Sequence, residues 1–214
     1  MIGTLKLLTM NKVEIINPFD PYLFKLHFDF DWQTLKPICE KLIDDSKFTD
    51  ATELTNGHTS QYNNLKPHQI KEFAPFYSWL MSCIPSIAKA CIGKQSDQLL
   101  KDNDSTIDYY VSNSWMNVHN KDGITNEHNH ACTSIVVAAY LDMPENGGYY
   151  ECKDPLEYHK AMLPIHGSHL WRQIPTISGD VLIFPGWLNH RTQPNLSDEN
   201  RWVLTTNLMQ KWSK

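Results

Sequence analysis

The 214 residues carry a net charge of −5 and a pI near 6.0, with 41% hydrophobic and 20% charged side chains. That balance suits one globular unit with a full core and excludes a disordered chain. It also lacks the basic footprint that neutralises phosphates, so nucleic acid is not expected as an obligatory partner.

Near the start, the apolar run around Leu5 to Met10 has no charged leader or small-residue cleavage site and is too short to span a bilayer. A cytoplasmic protein without a membrane partner is expected, in host cytoplasm if the source is viral. From Asp31 to Ser46, Trp32, Leu35, Ile38, Cys39, Leu42 and Ile43 recur at spacings of three and four, which predicts an amphipathic helix with Pro37 near its start. A second helical stretch, about Lys66 to Gly93, places Ile70, Phe73, Tyr77, Leu80, Ile84, Ile87 and Cys91 on one face, with Pro75 and Pro85 expected to kink or divide it. That long apolar face is compatible with a homodimer contact.

Beyond about Ile107 the pattern turns to short β-rich runs separated by Gly, Pro, Asn and Asp: Asp108 to Val118, Ser134 to Leu141, Gly148 to Cys152, Val181 to Phe184 and Arg201 to Leu208. Ser134 to Leu141 is nearly all apolar and belongs deep in a sheet stack, with Glu145-Asn146-Gly147-Gly148 as the tight turn leading out. The expected architecture is α+β with a mainly β core: an antiparallel sandwich or barrel with supporting helices outside it. The chain is expected to form a single domain over 1–214, with 1–106 as helical support and flanking strands and 107–214 as the catalytic barrel. Five cysteines, Cys39, Cys83, Cys91, Cys132 and Cys152, form no Cys-x-x-Cys pair and read as reduced, partly buried thiols.

The chemistry concentrates in His128-Asn129-His130, in Gly179 to Pro185 with His190 beyond, and in Arg201. On a strand, residues two apart share a face, so His128 and His130 would point inward together, and a distant third imidazole completes a divalent-metal site. Alone, a His-Asn-His segment is as readily a polar loop. The apolar strand after the pair, the Gly-Asp turn into a second one and His190 just past it favour the metal reading. A guanidinium brought back to the same interior is costly to bury without an anion, which suggests that Arg201 holds a carboxylate. A surface salt bridge to Asp180, Asp198 or Glu199 is the alternative. His27, His58, His68, His119 and His159 show no ligand spacing. His166 and His169 read as loop residues, and the tryptophans of the β half as core or rim packing.

The stretches Asn113 to Asn117, His128-Asn129-His130, Ala139-Tyr140-Leu141, Pro144 to Gly148, Asp154-Pro155, Gly179 to His190 and Arg201, within about Ser112 to Leu208, resemble the 2-oxoglutarate and Fe(II)-dependent oxygenases, most closely a branch common among bacteria and phages. The resemblance implies a double-stranded β-helix of the jelly-roll or cupin-like kind. It implies Fe(II), 2-oxoglutarate and O2 as cofactors, and C–H hydroxylation coupled to oxidative decarboxylation of 2-oxoglutarate to succinate. His128 and His190 would be the two histidine ligands, Arg201 would grip the distal carboxylate of 2-oxoglutarate, Tyr140 would donate to that carboxylate, and Asn117 would contact the cosubstrate. The wider superfamily has Asp or Glu where His130 stands, so either three imidazoles hold the metal or a water fills that place. It also has a hydroxyl residue where Val203 stands, with Thr205 or Thr206 as substitutes. The competing functions are a three-histidine enzyme that does not use 2-oxoglutarate (a thiol or diketone dioxygenase, or a zinc hydrolase) and a non-catalytic metal-stabilised binding module. The expected substrate is a small molecule, peptide or protein.

Overall fold

The computed structural model describes residues 4–6, 12–16, 23–46, 53–91, 101, 106–155 and 171–213. In chain order the elements are β1 (Thr4–Lys6), β2 (Lys12–Ile16), β3 (Leu23–His27), α1 (Trp32–Asp44), β4 (Leu54–Thr59), α2 (Ala74–Cys91), β5 (Thr106–Thr125), β6 (Ile135–Asp142), β7 (Tyr150–Lys153), β8 (Trp171–Ile174), β9 (Asp180–Pro185), β10 (His190–Thr192) and β11 (Arg201–Ser213). An eight-stranded sheet runs β1-β2-β3-β9-β6-β11-β5-β4, and a three-stranded sheet runs β10-β7-β8. The strand pairings within both are antiparallel.

Period-two alternation along the central strands explains the layering. From β6, β9 and β11, Val137, Ala139, Leu141, Val181, Ile183, Trp202, Leu204 and Leu208 join a core shared with Leu35, Cys39 and Leu42 of α1 and Phe76, Leu80, Ile84 and Ile87 of α2. The opposite face sends Val136, Ala138, Tyr140, Leu182, Phe184 and Val203 into a second core with Tyr150, Cys152 and Ile174 of the small sheet. A strand covered on both faces has no polar side, so Ile135–Asp142 reads as an almost unbroken apolar run. Helices, large sheet and small sheet thus make the three layers of a double-stranded β-helix with supporting helices.

α1 begins where Asp31 caps it: the Asp31 carboxylate accepts from the Thr34 amide at 3.2 Å and from the Thr34 hydroxyl at 2.7 Å. The second helical stretch is corrected in one respect. Its division falls at Ile70, whose extended backbone (φ −94°, ψ 129°) separates 3-10 turns at Pro67–Gln69 and Lys71–Phe73, and α2 then runs unbroken in its assignment through Pro85. Pro75 is the second residue of α2, where the missing N–H has no intrahelical partner to lose. β1 to β4 supply the flanking strands expected within 1–106 without individual bounds, whereas β8 and β10 were not anticipated from the sequence.

The turn after β6 forms as expected, with the Gly147 amide donating to the Pro144 carbonyl at 3.0 Å. Gly148 has φ +77°, and a Cβ there would lie 2.5 Å from the Pro194 carbonyl oxygen, so the close approach of the Gln193-Pro194 segment requires glycine. Among the described residues Cys39, Cys83, Cys132 and Cys152 are free, and all but Cys132 are buried. No helix among the described residues is long and apolar enough to cross a membrane. His159, His166 and His169 lie outside the described residues.

Candidate active site

His128, His130 and His190 come together: one nitrogen from each lies within 4.8 Å of the other two, the one group of three metal-type side chains found among the described residues. The local backbone differs from the expected strand. His128 sits in an isolated antiparallel bridge, exchanging main-chain hydrogen bonds of 3.0 and 2.9 Å with His190, the first residue of β10. His130 follows outside any ladder, its amide donating to the Gly186 carbonyl at 2.8 Å. Gly186 must be glycine, because a Cβ would come within 2.1 Å of the Thr133 carbonyl oxygen.

Hydrogen bonds determine which nitrogen each ring offers. Nδ1 of His128 meets the Asn126 carbonyl at 2.8 Å, Nδ1 of His190 meets the Leu188 carbonyl at 2.8 Å, and Nδ1 of His130 meets Asn207 Oδ1 at 2.7 Å. The main-chain carbonyls facing His128 and His190 only accept, so those Nδ1 atoms carry the proton, and with Asn207 Oδ1 turned inward the same holds for His130; each Nε2 then presents a lone pair. The Nε2 atoms of His128 and His130 lie 3.2 Å apart. Two lone pairs at that distance repel, whereas two nitrogens bound about 2.1 Å from one metal ion stand about 3 Å apart. Burial depresses the basicity of all three rings, that of His130 down to about 4 and that of His190 well below the usual imidazole range. Neutral imidazoles with outward-tied Nδ1 protons are the donor set a divalent ion requires, and the residues fit such an ion.

The cluster opens on a cavity of about 260 Å³ whose walls follow the same alternation: Trp115, Asn117 and His119 from β5, Val136, Ala138 and Tyr140 from β6, and Val203, Thr205 and Asn207 from β11. The Trp115 ring lies nearly parallel to that of His130 (centroids 5.7 Å, 20°), and Tyr150 lies on His190 (5.6 Å, 23°). Glu53 is the single carboxylate among the lining residues, and its charge favours the protonated forms of His128 and His130. Of the two hydroxyl substitutes considered for Val203, Thr205 lines the cavity, whereas Thr206 faces the other way, 3.2 Å from the Tyr77 hydroxyl.

Arg201 opens β11 and is fully buried. Its guanidinium donates to the carbonyls of Gly147 and Gln193 (the latter at 3.0 Å), of Gly123 at 3.4 Å, and to the Thr192 hydroxyl at 2.9 Å, while its Nε has no partner. None of these partners is a carboxylate. The alternative acids are occupied elsewhere: Asp180 pairs with Lys25 at 2.9 Å and Asp198 with Lys121 at 2.7 Å. Burial lowers the guanidinium to about 10, so it remains cationic at neutral pH. Thr192, which it holds, and Tyr140, which feels its charge, both line the cavity, as does Tyr150, whose buried hydroxyl is unpartnered. Burial pushes the Tyr140 phenol up to about 12 and raises that of Tyr150 well above the usual phenol range, so both stay protonated. Arg201 itself is not among the residues that line the cavity: it is a buried cation whose hydrogen bond to Thr192 links it to the wall.

Asn195 organises this end of the site. It is fully buried, and its amide nitrogen donates to the carbonyls of His119, Asn120 and Glu199 at 3.0, 3.3 and 2.8 Å. Sequence reasoning missed Asn195, Tyr150, Glu53 and Asn207. The alternation from Arg201 through Val203 and Thr205 points to Asn207, and the pair Tyr149-Tyr150 after the Gly-Gly turn was the available signal for Tyr150. Nothing in the linear pattern marks Glu53 or Asn195.

Residues 113–207 match a family model described as "Putative 2OG-Fe(II) oxygenase". No curated protein matches the chain in sequence. Among solved structures, the chain resembles a viral collagen prolyl hydroxylase from Paramecium Bursaria Chlorella virus-1 in complex with 2-oxoglutarate (TM-score 0.56, 14% identity, 88% of this chain and 96% of that one). It also resembles a Pseudomonas putida prolyl-4-hydroxylase (0.52, 11%, 87% and 91%) and HygX from Streptomyces hygroscopicus with nickel and 2-oxoglutarate bound (0.52, 13%, 87% and 82%). At such identities the likeness shows a shared fold, while the matched segment begins just ahead of Trp115 and ends at Asn207, enclosing all three histidines and Arg201. Over that segment the chain is similar to the 2OG-Fe(II) oxygenases.

Proposed function

We propose that the chain binds Fe(II) through His128, His130 and His190 and uses 2-oxoglutarate and O2 to hydroxylate a C–H bond. The observation that carries this reading is the convergence of three Nε2 lone pairs, each fixed by an acceptor on Nδ1, beside a buried arginine whose bonded partners include no carboxylate. When bound, the iron and 2-oxoglutarate supply the oxidising power, with release of succinate and carbon dioxide.

The protein's own residues supply geometry and solvation. The three imidazoles present neutral nitrogens without first losing a proton, because burial has already depressed their basicity. Tyr140 and Tyr150, near the charge of Arg201, would hold the distal carboxylate of 2-oxoglutarate through their hydroxyls, and Asn117 would offer an amide from the cavity lining. Val136, Ala138, Phe184 and Val203 keep the inner end apolar, which limits water around the reacting bond. Glu53, Gln61 and Asn129 give the lining further polar contacts for substrate. The fold neighbours include enzymes named for prolyl residues and one holding hygromycin B, so a peptide and a small molecule are both accommodated by this fold, and fold does not choose between them.

Anaerobic addition of Fe(II) and 2-oxoglutarate to the purified protein is expected to give a weak visible charge-transfer band that His190→Ala abolishes. A folded wild-type protein that shows no band, or one that turns over substrate without 2-oxoglutarate, would exclude this function. Succinate release across pools of peptides and metabolites then identifies the substrate.

A further inference from the structure

Two of the three imidazoles have no choice of tautomer, because His128 and His190 each face a main-chain carbonyl that can only accept. His130 is different, since its Nδ1 partner is a side-chain amide, which can turn either an oxygen or an NH2 toward the ring. With the NH2 inward, the proton of His130 would reside on Nε2. That atom is 3.2 Å from Nε2 of His128, and an ordinary histidine–histidine hydrogen bond would close the site to metal. With Oδ1 inward, as the structure has it at 2.7 Å, Nε2 is left as a ligand.

Asn207 reaches this place by the alternation of β11 that also turns Val203 and Thr205 to the cavity, and an irregularity in the large sheet lies beside it. Asn207 pairs with Asn113 of β5, but Leu208 pairs with Val111, so Ser112 is an extra residue in β5, its hydroxyl donating to the Asn207 carbonyl at 3.1 Å. Bulges of this kind re-aim a neighbouring side chain. Trp115, lying flat against His130 from the same strand, restricts rotation of the ring.

We propose that Asn207 is the positioning residue of the metal site, its carbonyl selecting the tautomer in which His130 offers Nε2. The inference rests on the metal reading above for its purpose, and its test is separable from that reading. In metal-free, 15N-labelled protein at neutral pH, long-range 1H–15N spectra are expected to show the proton of His130 on Nδ1. Co(II) titration is expected to show Asn207→Ala binding about 10- to 100-fold more weakly than wild type, the usual effect of losing the partner that orients a ligand. Asn207→Asp can only accept when ionised, and is expected to bind at least as tightly as wild type. A wild-type His130 protonated on Nε2, or an Asn207→Ala protein that is folded and binds Co(II) as wild type does, overturns the proposal. If wild-type protein takes up no Co(II), the iron reading fails while the spectrum still decides what Asn207 does.

Discussion

Arg201 is the residue at which burial, charge and hydrogen bonding are most at odds. It contributes a cation to a region where its bonded partners are three carbonyls and one hydroxyl. Neutral acceptors take the terminal guanidinium protons, leaving Nε unpartnered and the charge uncompensated, and under the proposed function that charge would attract the distal carboxylate of 2-oxoglutarate. Arg201→Met is therefore expected to act twice. Unfolding in urea should show a loss of about 2–4 kcal/mol, because the Gly147 and Gln193 carbonyls are left buried without donors. A rise in Tm on adding 2-oxoglutarate, expected of the wild-type protein under the proposed function, should be absent from the variant. A variant that kept both would remove Arg201 from cosubstrate binding. The same residue shows why the site was only partly legible: Arg201 was found from its place after His190, but two of its four partners, Gly147 and Gly123 of β5, are remote in sequence.

At the scale of elements, the capping of α1 is a local arrangement that can be tested alone. Asp31→Ala removes the acceptor for the Thr34 amide and hydroxyl and is expected to lower the midpoint of chemical denaturation, without changing metal affinity. This helix was readable because its apolar positions and its cap lie within one stretch of chain. β6, β9 and β11 were readable for a similar reason, burial on both faces having made them apolar throughout. β4 and β10 were not, since Leu54–Thr59 and His190–Thr192 are polar, short strands at sheet edges that owe their conformation to partners far along the chain. Edge strands need little hydrophobic patterning, so sequence carries little trace of them. The expectation of a strand at 128–130 erred in kind but not in consequence, because a single bridge keeps the backbone extended enough for alternate side chains to share a side.

Across the whole molecule, the large sheet is the partition between a helix-covered core and a chemical chamber, and the chamber's burial gives the protein an acid sensitivity. His119, His128, His130 and His190 all have proton affinities lowered mainly by desolvation, and each recovers a value near 6.5 on unfolding. Because the folded values lie below the unfolded ones, the unfolded chain binds more protons below about pH 6.5. Stability present at neutral pH is therefore lost as pH falls toward the folded values, by about 1.4 kcal/mol per pH unit for each such group. For metal-free protein, urea denaturation at about pH 5 should give an unfolding free energy lower than at pH 7 by about 2 kcal/mol from His130 alone. A flat profile would mean that the imidazoles are more hydrated than the packing indicates. The bridge between His128 and His190 has one last effect. Paired amides hold the backbones of these two residues face to face, so a substitution at position 130 is expected to leave His128 and His190 opposite one another.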